Sequence, residues 1–162
     1  VIFVRTKKDV VGLDAIIIPG GESTVLHKLA EREGIFEELK KIKNIFGTCA
    51  GTIMLAKTIH NKTKDQKTLA LMDITVDRNA YGRQTESFEQ NIDSKLGKIR
   101  AVFIRAPRIT KIDKGVLVIA KNGKEVIACE QRKNGSYYLA ACFHPELTTT
   151  KFHEHFFTNM VK

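Results

Sequence analysis

Three short blocks hold residue types that can make and break a covalent bond. Gly47-Thr48-Cys49-Ala50-Gly51 follows a short apolar run and precedes a helical one. Its form, G-x-nucleophile-x-G, is that of a sharp strand-to-helix turn that presents the nucleophile and admits only small flanking residues. A cysteine there stands at the start of a helix, where the positive end of the dipole favours the thiolate and lowers the thiol pKa. The N–H of Ala50 is placed to face an oxyanion. A lone cysteine in an arbitrary context is more often a buried apolar side chain, and the five-residue pattern decides against that here.

Phe143-His144-Pro145-Glu146-Leu147 follows an apolar run near the C-terminal end. A cysteine nucleophile needs a base and a group that orients the base. His144 accepts the thiol proton and later gives it to the leaving group. Glu146, two residues on, holds the imidazole tautomer, and Pro145 stiffens the spacing. Alone, this block reads better as a satisfied structural histidine; its pairing with Cys49 favours a triad. The third block, Pro19-Gly20-Gly21-Glu22-Ser23-Thr24, follows another buried run. The glycine pair lets backbone approach a ligand closely, and the N–H of Gly21 is the candidate for a second oxyanion donor. The structural alternative is a plain strand-to-helix turn. No Gly-Lys-Ser/Thr follows, so this is not a P-loop.

The elements that position these blocks are short. Val1–Val4 reads as a strand, and the β-branched Ala15–Ile18 as a buried parallel strand. Ser23 or Thr24 caps a helix to about Arg32, which Gly34 ends. A second helical stretch covers Ile35–Ile42. A strand at Asn44–Phe46 enters the Cys49 block, and a helix is expected over Thr52–His60 with Ile53, Met54, Leu55 and Ile59 turned inward. Asn61–Thr68 is polar and reads as a mobile loop. Strands follow at Ile74–Val76, Val102–Ile104, Val116–Ala120, Val126–Cys129 and Tyr138–Phe143, then a helix at about Thr150–Met160. Alternation of β and α in the first half and strands in the second predict one α/β domain over residues 1–162, a mixed sheet flanked by helices. Such a domain usually begins with a βα unit that supplies a central strand. The expectation is that this first unit, on the order of 30 residues, is missing from the chain.

Bulk composition excludes several classes. The chain has 162 residues, 43% of them hydrophobic and 28% charged, which fits one soluble domain. No apolar run approaches the roughly 20 residues that span a bilayer, and Arg5, Lys7 and Lys8 interrupt the place of a signal peptide. Cys49, Cys129 and Cys142 are too few and too far apart for a disulfide framework or zinc site, which points to a reducing, cytoplasmic compartment. The net charge of +9 raises a nucleic-acid partner. The basic residues are spread along the chain, however, and lack aromatic interleaving, so a lysine-rich solvated surface is the reading taken. His153 and His155 flank Glu154 on the last helix and read as a partly exposed face rather than metal ligands. No metal or cofactor is expected.

In order, the three blocks resemble those of the class I, triad-type glutamine amidotransferases. Arg78-Asn79-Ala80-Tyr81-Gly82-Arg83-Gln84, Ser87-Phe88-Glu89 and Phe103-Ile104-Arg105-Ala106-Pro107 narrow the resemblance to the glutaminase subunits of pyridoxal 5'-phosphate synthases, over nearly the whole chain. The resemblance implies a Rossmann-like three-layer sandwich. It implies hydrolysis of L-glutamine to L-glutamate and ammonia through a thioester on Cys49, with His144 and Glu146 completing the triad and Gly21 and Ala50 the oxyanion hole. It implies glutamine binding by Gly21, Glu22, Ser23, Arg78, Ile104 and Arg105. The implied partner is a (β/α)8-barrel synthase subunit that receives the ammonia and makes pyridoxal 5'-phosphate. Family members open with a strand and helix bearing a Gly-x-x-x-Gln-Gly-like segment, and nothing here matches it. The rival readings are a glutaminase serving another synthase and a non-enzymatic basic binding module.

Overall fold

The computed structural model describes residues 1–78 and 87–161. The β-branched Ala15–Ile18 run forms β1, paired parallel to β2 (Asn44–Thr48). Three helices lie before β2: α1 (Lys7–Val10), α2 (Ser23–Arg32) and α3 (Phe36–Leu39). Next come α4 (Ala50–Leu55), β3 (Ala56–His60) and β4 (Met72–Asp77). The second half runs β5 (Ser87–Ser94), β6 (Gly97–Ile104), β7 (Arg108–Ile112), β8 (Val116–Asn122), β9 (Glu125–Lys133), β10 (Ser136–Ala141) and α5 (Lys151–Met160). The main path of the sheet is β1-β2-β10-β9-β7-β4-β3, and the β5–β6 hairpin joins it through β8.

Strand alternation divides the interior into two cores, one on each face. Ile45 of β2 packs with Phe36 of α3, Met54 of α4 and Tyr138 of β10. Its neighbour Phe46 packs with Leu139 of β10, Phe103 of β6 and Phe152 and Phe156 of α5. Residues of α1 to α4 belong to the first core and residues of α5 to the second, so the expected α/β/α sandwich is observed. No helix among the described residues is long and apolar enough to cross a membrane.

Several local expectations need correction. Val1–Val4 is not a strand: Val1, Ile2 and Phe3 are exposed and pair with none of the described strands, and a strand without a partner leaves its backbone groups unmet. The helix expected over Thr52–His60 ends at Leu55. Ala56–His60 pairs parallel to β4 as β3, where the β-branched Thr58 and Ile59 fit the pleated surface. The cap of α2 is Glu22 rather than Ser23 or Thr24; its carboxylate accepts from the amides of Thr24 and Val25. Only Phe36–Leu39 of the second helical stretch is helical, with Phe36 and Leu39 buried. Strands β5 and β7 were not anticipated. β5 is polar and mostly exposed, held by its ladder to β6, so it has no apolar run to read.

Backbone packs on backbone where α4 meets the sheet. A Cβ built on Gly51 would lie 2.0 Å from the carbonyl oxygen of Ile18, and one on Gly47 would lie 2.5 Å from the carbonyl of Gly51. Neither obstacle is a flexible side-chain end, so both positions require glycine. Gly51→Ala is expected to destabilise the fold by at least about 3 kcal/mol, the upper end for overpacking. Gly123→Ala, with nothing within 4 Å of the added carbon but a φ of +59°, is expected to cost about 1–2 kcal/mol. Chemical denaturation of the two variants checks the ordering; equal midpoints would contradict it.

Candidate active site

β2 delivers Cys49 at its C-terminal end, and α4 begins at the next residue. The turn is tight enough to hold Cys49 at φ 49° and ψ −108°, a conformation rare outside glycine. Its surroundings over-determine it. The Cys49 amide donates to the carbonyl of Ala141 at 2.8 Å, and the Thr52 hydroxyl donates to the carbonyls of Ala141 at 2.8 Å and Gly47 at 3.1 Å. Thr52, unremarked in the sequence, thus ties the first turn of α4 back to β2 and β10.

The thiol is 5% exposed. Burial pushes its pKa above the ordinary cysteine value. The amides of Ala50 and Gly21, which face the sulfur, work in the opposite direction, and the charge of Glu146 adds to the rise. This corrects the expectation of a lowered pKa. α4 has only six residues, too short for a strong dipole, and desolvation of a thiolate outweighs two amide contacts. The S–H group also donates to the carbonyl of Ile104 at 3.7 Å. In the resting site the thiol is therefore protonated at neutral pH and needs a base.

His144 supplies the geometry of one. It follows β10 and the buried Phe143, and its amide donates to the carbonyl of Val102 at 2.9 Å. Pro145 opens a 3-10 turn, Pro145–Leu147, that brings Glu146 back to the ring, with Nδ1 of His144 2.8 Å from Oε1 of Glu146. This leaves Nε2 for the other side. A Cβ built on Gly20 would lie 2.4 Å from Cε1 and 3.2 Å from Nε2 of His144, and 3.3 Å from Cβ of Cys49. The imidazole and Cβ of Cys49 thus both lie against the Cα of Gly20, an approach that only glycine permits. Gly21, at φ 144°, turns its amide toward the sulfur. A buried thiol with two amides facing it and an imidazole nearby is the set of groups that acyl transfer requires.

A second cluster borders this one. The Arg78 guanidinium donates from Nη2 to Oε1 of Glu22 at 2.9 Å, and from Nη1 to the hydroxyl of Thr24 at 3.2 Å and Oε1 of Gln66 at 2.9 Å. Ser23 is buried, and its hydroxyl accepts from Nε2 of Gln66 at 2.8 Å. Burial works to raise the Glu22 pKa, but the amides of Thr24 and Val25, the Thr24 hydroxyl and Arg78 together hold it below the usual carboxylate value. A lowered folded-state pKa means this cap's contribution is present at neutral pH and is lost as pH falls through the lowered value. Arg105 follows Ile104 at φ 45°, a second strained residue bordering the site.

Every expected site residue thus lies in one of two touching groups: Cys49, His144, Glu146, Gly21, Ala50 and Ile104 in the first, Glu22, Ser23 and Arg78 in the second, with Arg105 beside Ile104. Of the Arg78–Gln84 block only Arg78 lies within the described residues; Arg83 falls outside them. Thr24 was read only as a candidate helix cap, and Gln66 was not singled out, because a polar residue in a polar stretch carries no periodicity or motif. Cys129, pushed up to about 12 by burial, and the fully buried Cys142 have the character of core residues. His155 bonds Glu130 at 2.7 Å, and His153 packs edge-on to Phe46.

Fold and site together define a class: an α/β sandwich with a cysteine on a nucleophile elbow, faced by a histidine–glutamate pair. The chain belongs to the SNO glutamine amidotransferase family, whose model matches residues 2–162. It is 46% identical to the pyridoxal 5'-phosphate synthase subunit PdxT of Methanocaldococcus jannaschii over 164 residues, 98% of this chain and 84% of that one. It is 47% identical to the subunit of the same name from Desulforamulus reducens over 161 residues, covering 94% and 82%. A crystal structure of a glutamine amidotransferase superposes with a TM-score of 0.88 at 41% identity, covering 98% of this chain and 85% of that one. The family resemblance read from the motifs is borne out.

The raised thiol pKa yields a prediction. In the isolated chain, alkylation of Cys49 by iodoacetamide is expected to keep accelerating above the ordinary cysteine range of about 8.5, since the thiolate is populated only as pH rises through the raised value. Peptide mapping across a pH series measures this. A rate that levels off below pH of about 7 would show a pre-formed thiolate instead.

Proposed function

We propose that this chain is the glutaminase subunit of a pyridoxal 5'-phosphate synthase, hydrolysing L-glutamine to L-glutamate and ammonia for a synthase subunit. The observation that carries the reading is the convergence of Cys49, the His144–Glu146 pair and the Gly21 and Ala50 amides around Gly20. The names of the relatives support the choice of synthase.

His144 Nε2 takes the Cys49 proton as sulfur attacks the carboxamide carbon. The tetrahedral oxyanion forms between the amides of Gly21 and Ala50. Collapse breaks the C–N bond, and the proton on His144 leaves with the ammonia. Water, deprotonated by His144, then attacks the γ-glutamyl thioester and restores the thiol. Glu146 holds the ring and stabilises its charged form without taking the proton. Glu22, Ser23 and Arg78, with Ile104 and Arg105, receive the amino-acid end of glutamine, whose charges need an ionic and hydrogen-bonding frame. Three free, buried cysteines fit a reducing cytoplasm.

Cys49→Ser is expected to abolish glutamine hydrolysis with the fold intact, since an alkoxide forms far less readily than a thiolate. His144→Asn is expected to lower kcat at least about 10³-fold and Glu146→Gln by less, as the base moves the proton and the carboxylate orients it. Ammonia release with the synthase present is the assay; wild-type turnover by His144→Asn would remove the triad.

The acceptor of the ammonia is a (β/α)8-barrel synthase subunit. Ammonia freed into solvent is lost, so turnover is expected to depend on docking. The Gly20-Gly21 peptide supplies an oxyanion donor from a flexible pair, and one mis-set donor costs roughly 10²–10³ in rate. Titrating the chain with synthase should raise glutamine turnover toward saturation. Full activity alone, unchanged by the synthase, would contradict the switching and leave the chemistry standing.

A further inference from the structure

Gln66 lies behind the candidate site and has no part in the bond-breaking steps. It sits in the polar connection between β3 and β4, yet is only 3% exposed. Its backbone is anchored: the Gln66 amide donates to the carbonyl of Thr63 at 3.1 Å, and three residues on Leu69 donates to the carbonyl of Met54 in α4 at 2.8 Å. Its side chain bridges two separate parts of the glutamine-binding cluster. Oε1 accepts from Nη1 of Arg78 at 2.9 Å, and Nε2 donates to the hydroxyl of Ser23 at 2.8 Å. The sense of the amide is dictated by its partners. A guanidinium offers only donors, so the oxygen must face Arg78 and the nitrogen Ser23.

The chemistry of a side chain with one donor end and one acceptor end is what the gap requires. Arg78 stands just beyond the end of β4 and Ser23 at the start of α2. Without a bridge, Arg78 would keep Glu22 on Nη2 and the longer bond from Nη1 to the Thr24 hydroxyl, but would lose the shorter of the two bonds that hold Nη1 and its tie to Ser23. With the bridge, three acceptors fix it before any substrate arrives, so binding loses less rotamer freedom. We propose that Gln66 is a positioning residue for glutamine recognition, aligning Arg78 with Glu22 and Ser23 into one rigid frame for the amino-acid end of the substrate. The inference rests on the glutaminase reading above and assigns Gln66 no contact with the reacting atoms.

The test compares wild type, Gln66→Leu and Gln66→Glu, each assayed for glutamine hydrolysis with the synthase subunit present. Two alkylation rates at Cys49 are measured alongside, one with iodoacetamide and one with a glutamine-like diazo ketone. Gln66→Leu is expected to raise the glutamine KM on the order of 10-fold, the value of one hydrogen bond to a charged group, with kcat nearly unchanged. The diazo ketone should label Cys49 more slowly by a similar factor, while the iodoacetamide rate holds. Gln66→Glu keeps an acceptor for Arg78 and loses the donor to Ser23, so its KM should fall between. If Gln66→Leu does not fold, a wild-type KM in Gln66→Glu overturns the proposal. So does an unchanged KM in Gln66→Leu, or a parallel fall of kcat and both alkylation rates, which marks general support of the fold. A wild-type complex that releases no ammonia from glutamine overturns the glutaminase reading itself, and is seen before any variant is made.

Discussion

The carbonyl oxygen of Ile18 lies where a side chain on Gly51 would begin, and that near-contact of two backbones sets the position of everything in the site. It presses α4 onto the end of β1, so the chain must turn within one residue between β2 and α4, and that residue is Cys49. The same approach brings the Pro19-Gly20-Gly21 peptide, which leaves β1, over the sulfur. Gly20 then lies between the imidazole of His144 and Cβ of Cys49. A methyl group at Gly47, Gly51 or Gly20 would separate strand from helix or nucleophile from base.

Burial decides the electrostatics. A thiol at 5% exposure loses more from desolvation of its charged form than it gains from two amides. The resting sulfur therefore keeps its proton, and the proposed chemistry requires His144 to remove it. In the proposed chemistry the same two amides that fail to ionise the resting thiol stand beside the sulfur, where the substrate's carbonyl oxygen takes up negative charge during attack, so they would act in the transition state rather than the ground state. Strain is stored in the backbone as well: Cys49 and Arg105 both sit at positive φ, held by hydrogen bonds at Cys49 that α4 and β10 supply.

What the sequence disclosed follows from where its signals are local. The elbow and the His-Pro-Glu block are legible because chemistry demands fixed residue types at fixed short spacing. The β-branched run at Ala15–Ile18 is legible as a strand because its side chains favour a pleated surface, although only Ile18 of it is buried and the expected full burial does not hold. Ala56–His60 was misread because its propensity is ambiguous and pairing with β4 decides it. β5 was missed because its partner, not its own composition, makes it a strand. The direction of the Cys49 pKa was misjudged because a helix start is visible in sequence and the degree of burial is not. Gln66 escaped notice for a related reason: a glutamine among lysines looks solvated, and only the fold shows it turned inward between Ser23 and Arg78.

The central claim is that acyl transfer passes through the sulfur of Cys49. It is tested most directly by quenching the chain with acid during glutamine turnover in the presence of the synthase and mapping the covalent γ-glutamyl group by mass spectrometry. The account predicts an adduct on the peptide that carries Cys49, appearing with glutamine and discharging when glutamine is withdrawn. An adduct on Cys129 or Cys142, or undiminished ammonia release by protein whose Cys49 is fully blocked, would contradict it.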